Sequence, residues 1–190
     1  MAIKSTIFKA NLAIADIDHS YYSDHSLTLA RHPSETDERM MVRLVALAFN
    51  AYLLQKVCKG DGVMAFGAGL ADPNEPDVWL KDFTDRIRLW IEVGQPEDRA
   101  IIRAGHKSDQ VIVYAYHHAA EVWFKAIQSK LTRLKNLTIY RIPSEISGEL
   151  SQFATRSMQL QATIQEGQLM LGDGQKTIQV YVEPWLVQKE

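Results

Sequence analysis

Pro76-Asp77-Val78-Trp79-Leu80-Lys81-Asp82-Phe83-Thr84-Asp85-Arg86-Ile87-Arg88-Leu89-Trp90-Ile91-Glu92-Val93-Gly94-Gln95-Pro96 holds two runs of strand formers, Asp77 to Asp82 and Ile87 to Val93, around a polar tetrapeptide. Phe83-Thr84-Asp85-Arg86 has the composition of a hairpin turn. With two turn residues or four, a symmetric hairpin sets Asp77 opposite Glu92, Trp79 opposite Trp90 and Lys81 opposite Arg88, all on one face. Val78, Leu80, Leu89 and Ile91 take the other face, an apolar surface suited to a covering helix. Facing carboxylates repel by some tenths of a kcal/mol unless a cation or a shared proton compensates. A divalent ion would compensate, and hard ions such as Mg²⁺ take one or two carboxylates with water completing the shell. The same spacing also describes two solvated acids at strand ends beside a loop.

Upstream, residues 3 to 17 alternate through Ile7, Lys9, Asn11, Ala13 and Ala15, and Ser26 to Arg31 is a second extended run. They are expected to pair antiparallel, joined over Asp18 to Asp24. His32-Pro33-Ser34-Glu35-Thr36-Asp37 announces a helix, with Ser34 as its cap and Asp37 as the capping-box acid. That helix is predicted to run to about Lys59, with a body from Met40 to Phe49 apolar nearly all round and therefore covered on most sides. A short strand is expected at Val63 to Phe66.

Downstream, Pro96-Glu97-Asp98 opens a helix to about His106. A strand follows at Val111 to Tyr116, a helix at Ala119 to Leu134 and a strand at Leu137 to Arg141. Strands separated by helices imply parallel pairing with the helices over the sheet. A short helix near Glu145 to Phe153 precedes strands at Met158 to Gln165, Gln168 to Leu171 and Thr177 to Val182. Turns at Glu166-Gly167 and Asp173-Gly174 make those three a meander.

The 190 residues, 46% hydrophobic and 23% charged, suit one domain over 1–190. The N-terminal residues lack the basic and apolar regions of a secretory signal, and no apolar run is long enough for a membrane span. Cys58 is the lone cysteine and lies in an apolar helical pattern, as a buried structural thiol would. These features point to the cytoplasm. A net charge of −2 argues against nucleic acid coating the whole surface and leaves room for a local basic groove. No P-loop, dinucleotide glycine motif, Cys-x-x-Cys pair or Gly-x-Ser-x-Gly elbow is present. The histidines show no helical spacing of a zinc site.

Arg31-His32-Pro33-Ser34-Glu35-Thr36-Asp37-Glu38-Arg39-Met40 and Trp90-Ile91-Glu92-Val93-Gly94-Gln95-Pro96 resemble the YaeQ family, a likeness that covers essentially the full length. The order helix, strand, Pro76-Asp77 strand, Glu92 strand, helix, strand resembles the core of the PD-(D/E)xK nuclease-like superfamily. These resemblances imply an α/β fold: a mixed central sheet flanked by helices, a restriction-endonuclease-like core, an added N-terminal hairpin and a C-terminal β-meander. They imply Asp77 and Glu92 as ligands of Mg or Mn, with Glu38 added from the first long helix. The motif's lysine would stand at Gly94. Gln95 is the nearest polar substitute, able to orient a water but not to supply charge or act as a base. Two functions follow: metal-dependent phosphodiester hydrolysis on nucleic acid, or a non-catalytic regulatory domain that binds nucleic acid or protein on the same scaffold. Trp79 and Trp90 would either stack on bases or belong to the core.

Overall fold

The opening alternation builds an amphipathic strand. In the computed structural model, which describes residues 4–187, β1 (Thr6–Asp16) turns Phe8, Ala10, Leu12 and Ile14 inward. Ile3, where the alternation starts, lies outside the described residues. β2 (Tyr21–Arg31) pairs antiparallel with β1 and begins five residues before the expected Ser26. The turn is tighter than expected because the buried Asp16 carboxylate accepts the His19 backbone N–H at 3.1 Å and meets its Nδ1 at 2.8 Å.

α1 (Asp37–Asn50) starts on Thr36 rather than Ser34: the Thr36 hydroxyl accepts the Arg39 N–H at 3.1 Å. Glu35 points inward instead of joining a helical turn, which moves the cap two residues along. The single helix expected to reach Lys59 is two, α1 and α2 (Leu53–Cys58). At the break, Asn50 donates its amide to the Ala46 carbonyl and to the Tyr114 hydroxyl, both at 2.8 Å, a side-chain competition for backbone acceptors that disfavours helix continuation.

β3 (Gly62–Phe66), β4 (Val78–Asp82) and β5 (Ile87–Val93) form an antiparallel run. β5 then pairs parallel with β6 (Val111–Ala115), and β6 with β7 (Leu137–Arg141), through α3 (Asp98–Lys107) and α4 (Ala120–Ile127). α4 stops at Ile127, short of Leu134; a tighter turn over 128–130 follows, and Leu131 after it is fully buried.

After α5 (Ser144–Leu150) come β8 (Ser157–Gln165), β9 (Gln168–Gly172) and β10 (Thr177–Val180). The hairpin and the meander, expected as separate additions, are one sheet in the order β10-β9-β8-β1-β2, because β8 pairs parallel with β1. β1 and β8 each have one apolar face, and joining them spreads a continuous apolar surface over the rest of the fold. A further strand, β11 (Glu183–Val187), returns to the second sheet and gives it the order β11-β7-β6-β5-β4-β3.

The fold is thus mixed α/β, with two mixed sheets and flanking helices. One apolar cluster takes residues from both sheets and from α1, where Met40 to Leu47 are all buried and Arg43 is the one charged residue among them. A second cluster lies on the opposite face of the β5–β7 sheet, where Ile101 and Ala104 of α3 and Ile127 of α4 cover Trp90, Val111, Val113 and Ile139. Among the described residues, no helix is long and apolar enough to cross a membrane.

Candidate functional site

Val78 stands opposite Ile91 and Trp79 opposite Trp90, so the hairpin register read from the sequence brings Asp77 next to Glu92. Towards the turn the register slips between Leu80 and Lys81, and Lys81 faces Ile87 instead of Arg88. The slip follows from the Asp82 carboxylate, which accepts the N–H groups of Thr84 (2.9 Å) and Arg86 (3.2 Å) and makes the turn asymmetric.

Asp77 is fully buried and does not stand alone. Arg39 Nη2 lies 2.9 Å from its Oδ2 and 2.8 Å from its Oδ1, and the Val93 N–H donates to Oδ2 at 2.8 Å. The other nitrogen of the Arg39 fork, Nη1, donates to Glu35 Oε1 at 2.8 Å. Arg43 Nη1 then reaches both Glu35 oxygens, at 3.1 and 3.0 Å. Arg43 Nε and Asp77 Oδ1 each lack a hydrogen bond and lie 3.7 Å apart. Two guanidiniums and two carboxylates therefore cancel in the interior, as buried charges must. Side-chain exposure is 2% for Arg43, 1% for Glu35 and 0% for Asp77, and rises to 13% only at Arg39. Burial raises the Asp77 carboxyl, while Arg39, Arg43 and the Val93 N–H act the other way. Burial also works against the Arg39 charge, but Asp77 and Glu35 hold its pKa above the ordinary value.

The loop after β3 seals this network. Gly69 has φ +51°, and a Cβ there would stand 2.6 Å from Asp77 Oδ1. Gly69→Ala is expected to lose about 2 kcal/mol, from the left-handed backbone and the displaced carboxylate together. A urea unfolding midpoint equal to that of the parent would refute this close packing.

Arg39 and Glu92 open onto a cleft of about 700 Å³ lined also by Glu75, Gln95, Arg103 and Tyr116. It lies past the carboxyl ends of the parallel strands β5 and β6, the usual place for a ligand in such sheets. Glu92 accepts the Trp90 indole N–H at 2.7 Å. Burial, then the nearby Asp77 charge, pushes its carboxyl up to about 7 against the opposing effects of Trp90, Arg39 and Arg103. Gln95 donates to the Tyr116 carbonyl at 2.9 Å. Gly94 has φ +97°, a backbone conformation costly for any residue that carries a Cβ, a lysine included. Glu38 accepts the Ser147 hydroxyl at 2.6 Å, so its carboxylate is engaged with α5 rather than with Asp77.

As arranged, these residues do not fit a divalent ion. Such an ion needs open carboxylate oxygens and room for water, whereas Asp77 has a guanidinium across both oxygens and no exposed surface. Among the described residues, no group of three or more His, Cys, Asp or Glu side chains is placed to hold a metal.

Residues 1–182 match the protein family described as YaeQ protein. The chain belongs to the YaeQ family. It is 40% identical over 186 residues to YaeQ of Escherichia coli (strain K12), covering 97% of this chain and 98% of that protein, and equally so to YaeQ of Salmonella typhi. The crystal structure of the YaeQ protein from Xanthomonas axonopodis pv. citri matches with TM-score 0.84 at 35% identity, over 95% of this chain and 98% of that one. That of Pseudomonas syringae YaeQ matches with TM-score 0.87 at 33% identity, over 96% and 97%. The two-sheet architecture is therefore one that solved YaeQ structures share.

Sequence reasoning singled out Asp77 and Glu92 and passed over their neighbours Glu35, Arg39 and Arg43. A signal was there: acid, arginine and arginine at successive intervals of four, with Arg43 inside an apolar helix body. A charge in that setting calls for a buried partner. Trp90 is core, at 2% exposure, while Trp79 stays half-buried with Lys81 Nζ 3.4 Å from its ring centroid.

Proposed function

We propose that this chain is a metal-independent nucleic-acid-binding domain on a restriction-endonuclease-like core, in which Arg39 supplies the positive charge that a divalent ion would bring. The observation that carries the reading is the Arg39 guanidinium across both oxygens of Asp77, at 2.8 and 2.9 Å. From the cleft, which Arg103 lines, α3 carries an exposed row of Arg99, Arg103 and Lys107 along its length, spaced by four residues and so on one face. That row suits phosphates, and the half-buried Trp79 under Lys81 offers a ring for a base. The lone Cys58, buried and unpaired as a thiol, suits the reducing cytoplasm in which we place the protein.

The test is fluorescence anisotropy with labelled single-stranded and duplex oligonucleotides, in EDTA and in Mn²⁺, with the same samples assayed for cleavage. Binding is expected to persist in EDTA, to weaken with salt, and to lose about one unit of salt slope per cation removed in Arg99→Ala and Lys107→Ala. Calorimetric titration of Mn²⁺ is expected to give no binding heat.

The neighbouring Glu92 favours a second reading, a metal-dependent nuclease in which Arg39 swings off Asp77 when substrate arrives. Mn²⁺-dependent cleavage that disappears in a folded Asp77→Asn variant would establish it and overturn the first.

A further inference from the structure

A second cleft opens at the other end of α1 from Arg39, where the two sheets approach each other. It holds about 570 Å³ and is lined by His19, Phe49, Tyr52, Tyr114, Tyr140 and Tyr181. A volume of that order suits a small molecule. The rings are ordered among themselves: Phe49 stacks on Tyr114 with centroids 6.3 Å apart, Tyr114 on Tyr140 at 5.6 Å, and His19 on Tyr52 at 3.5 Å.

Two features bear on what such a cleft would hold. The first is polar and central. Tyr114 is 2% exposed, and its hydroxyl accepts the Asn50 amide at 2.8 Å. Its own proton is therefore free to donate to an acceptor oxygen in the cleft.

The second is the charge of the rim, where Asp18 and Glu166 are the ionisable acids. Asp18 accepts the N–H groups of Glu166 and Gly167, both at 2.8 Å, and these hold its carboxyl below the usual range, so it is ionised at neutral pH. No lysine or arginine lines the cleft among the described residues. The His19 ring is engaged by Asp16 at 2.8 Å. Aromatic faces and acids together attract a cation. One ring of the cluster already serves in this way, since Lys56 Nζ, outside the cleft, lies 5.7 Å from the Tyr52 centroid.

We propose that this cleft is a binding site for a small organic cation, an ammonium carrying an oxygen acceptor on a short apolar body. The ring faces and the acidic rim take the ammonium, and the Tyr114 hydroxyl donates to the oxygen. This site is separate from the Arg39–Asp77 cleft and does not depend on what that cleft does.

The probes are choline and its neutral isostere 3,3-dimethylbutan-1-ol, which differ in one atom and one charge. Saturation-transfer NMR and calorimetry on the full chain are expected to show choline binding about tenfold more tightly than the isostere, the discrimination of one desolvated cation–π contact. Tyr140→Leu is expected to abolish the preference. Should that variant fold poorly, Tyr181→Leu probes the same cleft from a residue that is 43% exposed and is expected to weaken choline several-fold. Equal affinity for the two probes, no choline binding by the parent, or unchanged preference in a folded Tyr140→Leu or Tyr181→Leu variant would each overturn the proposal.

Discussion

Glu35→Ala is expected to destabilise the protein by about 3–5 kcal/mol, the cost of removing one member of a buried ion pair. The variant strands Arg43, whose side chain is 2% exposed. Its remaining neighbours are Asp77 Oδ1 at 3.7 Å, the Gly67 carbonyl at 3.3 Å and the Phe66 ring, whose centroid is 5.3 Å from the guanidinium carbon. Arg39 loses one of its two carboxylates as well. For a chain of this length the thermal midpoint should fall by roughly 10 °C. The diagnostic comparison is the double variant Glu35→Leu/Arg43→Met. Replacing a buried pair by apolar groups of similar size is often neutral or better, so the double variant should recover most of what the single one loses. A urea series in which Glu35→Ala loses under about 1 kcal/mol would mean that water reaches Arg43.

Glu92→Gln is expected to stabilise the protein at pH 8 and to leave it nearly unchanged at pH 4. The folded carboxyl sits at about 7, above the ordinary 4.5. Between those values the folded chain keeps a proton that the unfolded chain has released, so parent stability falls as pH rises through that window. At 1.36 kcal/mol per pH unit, the full penalty above neutrality is about 3 kcal/mol. Glutamine carries no such penalty and keeps an oxygen for the Trp90 indole. Urea midpoints of the two proteins should therefore coincide in acid and separate steadily above pH 5. Parallel curves would show that Glu92 is already ionised in acid and better solvated than its burial suggests.

The hairpin and its carboxylates were legible because strand alternation is local. Once Trp79 and Trp90 are paired, the neighbours of Asp77 and Glu92 along the ladder follow. What occupies Asp77 was not legible in that way. Arg39 precedes it by 38 residues, and only the crossing of α1 over the β4–β5 end brings the two together. The same limit explains the first sheet. β1 and β8 each show an amphipathic pattern, but no local feature says that they pair in parallel. Tyr21 to His25 were missed because their side chains alternate between half-buried and exposed without a hydrophobic contrast. β11 was hidden by Pro184, a residue tolerated at a sheet edge and rare within one. The Thr36 cap was misplaced for a tertiary reason, the inward turn of Glu35.

The parallel pairing of β1 with β8 also sets an order of events during synthesis. β1 leaves the ribosome first, yet its partner begins only at Ser157. Until then the N-terminal hairpin, whose Phe8, Leu12 and Ile14 pack in the same apolar cluster as α1, has one edge of β1 unpaired. Pairing across so long a stretch is slow, and the waiting strand presents an open backbone edge to other nascent chains. Chaperone demand should therefore be concentrated on the hairpin, and should end abruptly once translation has passed Ile164.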